Sequence, residues 1–105
     1  MDVQVILAPP EVGEYRIKSA LTTFQAGIPY RFVVRSAGKK VHEFLIMPRG
    51  ESDTRKALLA VEEEDLRPNN VVTRNLTFSQ TGDYEVACRV GRHYEKGMVL
   101  PISVS

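Results

Sequence analysis

Short runs of period-two alternation, each closed by a turn, limit what this chain can build. Asp2 to Leu7 sets Val3, Val5 and Leu7 against Asp2, Gln4 and Ile6. Ala8-Pro9-Pro10 ends the run, because proline cannot donate to a ladder. Glu14 to Lys18 alternates again, Leu21 to Phe24 is short and β-prone, and Ala26-Gly27-Ile28-Pro29 reads as a turn. Tyr30 to Arg35 places Tyr30, Phe32 and Val34 on one face. Val41 to Met47 puts His42 on the face of Phe44 and Ile46. Val71 to Phe78 alternates, and Thr81-Gly82-Asp83 turns the chain. Tyr84, Val86 and Cys88 then share a face, with Cys88 at the strand end. Val99 to Val104 is the last strand, with Leu100, Ile102 and Val104 inward. Seven or eight short strands at near-regular spacing predict an all-β sandwich or barrel. Only Gly50 to Asn70 departs from the pattern. There Ser52-Asp53-Thr54 can cap a short helix or helical turn near residues 53–60, followed by an irregular crossing between sheets.

A length of 105 residues suits one domain, residues 1–105, with a core of its own. The net charge of +1 gives no reason to expect nucleic acid as a partner. No apolar run approaches the roughly 18 residues that a spanning helix needs. Met1 to Leu7 does not read as an intact signal peptide, so the protein is either cytoplasmic or shown here without its leader. The single cysteine excludes an internal disulfide. It also excludes the two-cysteine immunoglobulin pattern, and there is no tryptophan to pack on such a bridge.

That cysteine stands in Cys88-Arg-Val-Gly-Arg-His93-Tyr-Glu-Lys-Gly-Met98. Taken singly, Cys88 reads as a buried thiol, His42 as a core histidine and Met98 as core filler. Together, a thiolate, two imidazoles and a thioether form the His₂Cys set with a weak axial Met that holds copper in electron-transfer proteins. Such a set suits both Cu(I) and Cu(II), so little has to move when an electron arrives. The strand phases agree: Cys88 ends one strand, Met98 begins the next, His93 sits between them, and His42 points inward. Gly91 and Gly97 give the backbone freedom that a tight ligand loop needs. His42, Cys88, His93 and Met98 are therefore the candidate ligands of one copper ion.

The segments Tyr30-Arg-Phe-Val-Val, His42-Glu-Phe, Gly82-Asp-Tyr-Glu-Val-Ala-Cys88 and Gly91-Arg-His93-Tyr-Glu-Lys-Gly-Met98 resemble the cupredoxin (blue, type 1 copper) family, especially its small bacterial single-domain members. The resemblance runs from about Val3 to Val104. It implies a Greek-key β-sandwich, His42, Cys88 and His93 as equatorial ligands and Met98 as the axial one, and a periplasmic or otherwise extracytoplasmic location. Tyr84, just after the Gly-Asp turn, is placed like the tyrosine of a tyrosine corner. Two positions depart from the family pattern. Glu43 stands where many members carry the Asn or Ser that ties the ligand strands together, and Gly91-Arg92 stands where related loops have Pro-Gly.

The function expected from this reading is one-electron transfer by a monomer to a redox partner such as a cytochrome or oxidase. The alternative is copper homeostasis or resistance, with a copper donor or acceptor as partner. Catalysis is not expected: the chain shows no paired acid/base spacing, one cysteine cannot bridge a binuclear copper site, and the extra histidines of copper enzymes are absent. Lys39, Lys40, Arg89, Arg92 and Lys96 fall on loops expected near the ligand pole, where they either steer an acidic partner or are ordinary solvated loop charges. Tyr94 reads as loop packing, and Glu43 is expected to face away from His42.

Overall fold

The structure is a computed structural model that describes residues 1–105. Nine strands form it: β1 (Asp2–Leu7), β2 (Ile17–Ser19), β3 (Thr23–Phe24), β4 (Pro29–Ser36), β5 (Phe44–Pro48), β6 (Leu59–Val61), β7 (Val71–Thr77), β8 (Gly82–Ala87) and β9 (Val99–Val104). A four-stranded sheet runs β2-β1-β4-β7 and a five-stranded sheet runs β3-β9-β8-β5-β6. The β1–β4 and β3–β9 pairs are parallel and the rest antiparallel. Both sheets contribute to one apolar cluster that includes Val3, Phe32, Phe44, Phe78, Val86 and Ile102.

Nine strands exceed the seven or eight expected, and the added one is β6. Asp53 does cap a helical turn, accepting a hydrogen bond from the Arg55 amide at 3.1 Å, but the turn is a single 3-10 turn over Thr54–Lys56. The chain then pairs Leu59, Ala60 and Val61 with Ile46, Leu45 and Phe44 of β5. Three residues carry too little alternation to be read from sequence, and the neighbouring strand makes them a strand.

Two strands start later than their periodicity suggests. β2 begins at Ile17, which leaves Glu14, Tyr15 and Arg16 in a loop closed by the Ala8 amide donating to the Arg16 carbonyl at 2.8 Å. β5 begins at Phe44, so His42 lies in the segment leading into the strand. Alternation also discriminates less than expected in β5 and β8. Leu45, Met47, Glu85 and Ala87 are buried together with Phe44, Ile46, Tyr84 and Val86, because these inner strands are covered on both faces.

The two poles of the sandwich are built differently. At one, Phe24, Tyr30, Phe78 and Tyr84 pack ring against ring, with centroids 4.9 Å apart for Phe24–Tyr30 and 5.4 Å for Phe24–Phe78 and Phe78–Tyr84. The Tyr84 hydroxyl donates to the Gln80 carbonyl at 3.0 Å, the tyrosine corner that the Gly-Asp-Tyr turn suggested. At the other pole lie the end of β8, the start of β9 and the approach to β5. His42, Cys88, His93 and Met98 gather there.

Candidate metal centre

The loop from Cys88 to Met98 is closed on itself by backbone hydrogen bonds. The Cys88 amide donates to the Met98 carbonyl at 3.1 Å, and the Met98 amide to the His93 carbonyl at 3.1 Å. The His93 amide donates to Val90 at 2.9 Å. Gly91 (φ 51°) and Gly97 (φ 108°) occupy backbone conformations that side chains disfavour, which lets the loop turn this tightly.

Three donor atoms converge. His42 Nδ1 lies 3.2 Å from His93 Nδ1 and 3.9 Å from Cys88 Sγ, and His93 Nδ1 lies 3.5 Å from the same sulfur. His42 and Cys88 are fully buried, and His93 is half-buried with no hydrogen bond from its second ring nitrogen to the protein. Met98 is fully buried in the core cluster that also holds Cys88 and Phe44, its backbone bonded to both Cys88 and His93. The residues that the sequence singled out thus meet at one pole.

The donors fit a small cation. The far nitrogen of His42, Nε2, is 2.6 Å from Glu14 Oε2. An ionised carboxylate only accepts, so Nε2 carries the hydrogen and a neutral His42 presents a lone pair at Nδ1. That lone pair faces the His93 nitrogen and the Cys88 sulfur. Two nitrogens and one sulfur held about 2.0–2.3 Å from one ion, as at tetrahedral zinc, stand about 3.3–3.6 Å apart, a span that the observed separations bracket. A sulfur with two imidazoles is a set that copper favours.

The surroundings keep the donors unprotonated or ready to deprotonate. Burial lowers the His93 pKa, aided by His42 and Lys96, so its imidazole is neutral at pH 7. Burial raises that of the Cys88 thiol against the opposing hydrogen bonds from Glu43 and Val90. The sulfur therefore stays protonated until a cation compensates the thiolate.

Glu43 supplies the tie that the departure from Asn or Ser put in question. Its amide donates to Cys88 Sγ at 3.4 Å, and its carboxylate accepts from the Arg89 amide at 2.8 Å, joining the His42 and Cys88 segments. Its carboxylate is engaged by Arg89, and it is not among the three donors that converge. Burial raises its pKa, and the nearby Glu62 and Glu63 add to the shift.

Arg89 is not on the rim. Its guanidinium carbon stacks 3.5 Å from the centroid of the Tyr94 ring, and its Nη2 donates to the Glu51 carbonyl at 3.1 Å. Tyr94 in turn donates to the buried Glu85 at 2.8 Å, so it anchors the loop from the side away from solvent. Lys39, Lys40, Arg92 and Lys96 are exposed, and the loop before β2 adds Arg16 to them. Arg16 donates to the Lys96 carbonyl at 2.9 Å, and the Lys96 ammonium sits 4.8 Å over the Tyr15 ring, which packs on His93 with centroids 5.0 Å apart. Bases thus flank His93, while the acids Glu62 to Asp65 follow β6 on the side of Glu43. Sequence reasoning missed Glu14, Tyr15 and Arg16. They lie far from the ligand residues in the chain, and no motif marks them.

No family model matches the sequence, and no curated protein matches it either. Solved structures do. Rusticyanin from Thiobacillus ferrooxidans superposes with a TM-score of 0.80 at 14% identity, over 100% of this chain and 77% of that one. Auracyanin A, a "blue" copper protein from the green thermophilic photosynthetic bacterium Chloroflexus aurantiacus, gives 0.80 at 14% identity, over 100% and 98%. Auracyanin B gives 0.73 at 18%, over 99% and 88%. Identity this low conveys architecture only. The chain has the fold of the blue copper cupredoxins, as the four quoted segments implied.

Proposed function

We propose that this protein, a single domain over residues 1–105, is a mononuclear type 1 copper protein that carries one electron at a time. In this reading His42, Cys88, His93 and Met98 would hold the ion. The observation that carries it is the convergence of two imidazole nitrogens and one thiol within 3.9 Å of each other at the end of a cupredoxin-fold sandwich. A copper ion held there would supply a one-electron couple. The chain's part is to fix its donors in place: the loop hydrogen bonds set His93, the Glu43 tie sets Cys88, and Glu14 sets His42. Four protein donors leave no open position for a substrate, which favours a carrier over an enzyme.

His93 is the ligand nearest solvent, and its free edge is the route we assign to the electron. Arg16, Lys39, Lys40, Arg92 and Lys96 around that edge suit an acidic redox protein, and association should weaken as salt rises. Burial of His42, Cys88 and Met98 favours electron transfer over copper delivery, since release would require the pole to open. The resemblance to cupredoxins supports placement outside the cytoplasm.

The deciding experiment is titration of the apoprotein with Cu(II), followed by visible absorption and EPR. The expected result is an intense thiolate-to-copper charge-transfer band that Cys88→Ala abolishes, with reversible voltammetry of the loaded protein. A colourless product, or copper binding that Cys88→Ala leaves unchanged, would rule the assignment out.

A further inference from the structure

The loop before β2 touches the donor pole at three consecutive residues. Glu14 accepts from His42, Tyr15 packs on His93, and Arg16 donates to the carbonyl of Lys96 inside the ligand loop. Two glycines make room for the ends of this clasp. A Cβ on Gly38 would overlap the Glu14 carboxylate and the Ala8 side chain, and one on Gly97 would overlap the Arg16 guanidinium. Gly38 has no positive φ, so it is space and not backbone conformation that its lack of a side chain provides. The Glu14 carboxylate is further fixed by the Lys39 and Lys40 amides, which donate to its two oxygens at 3.0 and 3.2 Å. It is thus a preorganised acceptor aimed at one atom, Nε2 of His42.

From this geometry we propose that Glu14 is a positioning residue for His42. Its carboxylate holds the imidazole in the Nε2–H form with Nδ1 facing Cys88 and His93, and its negative charge favours the oxidised over the reduced metal. The second half rests on the copper reading above; the first does not. A carboxylate hydrogen-bonded to the outer nitrogen of a ligating histidine fixes its tautomer and raises its donor strength. A full negative charge close to the site stabilises the extra positive charge of the oxidised ion. Removing that charge while keeping an acceptor should therefore raise the reduction potential.

Three variants separate the parts. Glu14→Gln keeps an amide oxygen for Nε2–H and loses the charge. Glu14→Ala loses both. Gly38→Ala keeps the charge and displaces the carboxylate. In the apoprotein, ¹⁵N NMR should find His42 in the Nε2–H form with a slowly exchanging proton. Glu14→Ala and Gly38→Ala should speed that exchange and mix the tautomers, while the amide spectrum stays native away from the substituted residue and, for Gly38→Ala, away from Ala8. In the copper-loaded protein, Glu14→Gln should shift the Cu(II)-to-Cu(I) affinity ratio about tenfold towards Cu(I), which for a one-electron couple is a rise of 59 mV.

A His42 tautomer and exchange rate identical in wild type and Glu14→Ala would overturn the positioning role, and this measurement needs no metal. Equal potentials in wild type and Glu14→Gln would overturn the charge role. If wild type takes up no copper, the copper reading and the charge role fall together, and the apoprotein spectra still decide the positioning role.

Discussion

The two poles of the sandwich share strands and differ in what holds them. The aromatic pole is filled by Phe24, Tyr30, Phe78 and Tyr84, and its two hydroxyls are each satisfied by a nearby backbone group, Tyr30 by Gln25 at 2.8 Å and Tyr84 by Gln80 at 3.0 Å. Its cohesion is apolar burial, which is non-directional and tolerant of small displacements. The donor pole is held by directional contacts among groups that would rather be solvated: His42 to Glu14, Cys88 to Glu43, Arg89 to Glu43, Tyr94 to Glu85. There a thiol and two imidazole nitrogens stand face to face. The contrast assigns stability to one end and chemistry to the other.

The largest effect should come from the aromatic end. Phe78→Ala removes a fully buried ring that touches Phe24, Tyr30 and Tyr84, and should cost about 3–5 kcal/mol in urea unfolding. The copper spectrum of the folded fraction should be unchanged. A changed spectrum would mean that the poles are mechanically coupled and the division is false.

An intermediate effect is expected at the tie between the ligand segments. Glu43→Ala leaves the Arg89 amide without its acceptor and should cost about 1–3 kcal/mol. Unlike Phe78→Ala it should also broaden the EPR signal, because Cys88 loses a fixed neighbour. Glu43→Gln retains an acceptor and drops a charge that burial disfavours, so the apoprotein should keep its stability. A loss as large as that of Glu43→Ala would show that the charge, and not the hydrogen bond, makes the tie.

The smallest effect is a pH dependence confined to the donor end. His93 in the folded apoprotein has a pKa below its ordinary 6.5, mainly through burial. The unfolded chain therefore binds the proton first as pH falls. This contribution leaves stability untouched well above 6.5 and lowers it progressively as pH drops from there towards the depressed folded value. Thermal unfolding of apo wild type and His93→Gln across this range should show the decline in wild type and a smaller one in the variant. Copper loading should steepen the wild-type decline, since protons then compete with the metal for the ligand.

Much of this was legible in the sequence. Val3, Val5 and Leu7, or Tyr30, Phe32 and Val34, alternate in strands with one buried face, and their phases were read correctly because burial there follows period two. The grouping of Cys88, His93 and Met98 was legible because one loop carries all three. β6 was not, since three residues hold too little pattern and only β5 makes them a strand. Strand phase alone does not account for His42 pointing inward. This residue precedes β5, and its ring is held by Glu14 and the packing of the pole. Arg89 was misplaced on the rim because nothing local shows that Tyr94 and the Glu51 carbonyl would receive it.

The sequence by itself determined the fold class and the candidate donor set: alternation and turns specify the strands, and one thiol, two imidazoles and a thioether are the groups that the proposed function draws on. These follow from local stereochemistry and from the intrinsic properties of side chains. Only the tertiary structure decided what surrounds those donors. Glu14 reaches His42, Tyr15 reaches His93 and Arg16 reaches the loop carbonyl because the two sheets bring the loop before β2 against the end of the other sheet. Contacts between segments so far apart in the chain depend on packing that no local pattern encodes.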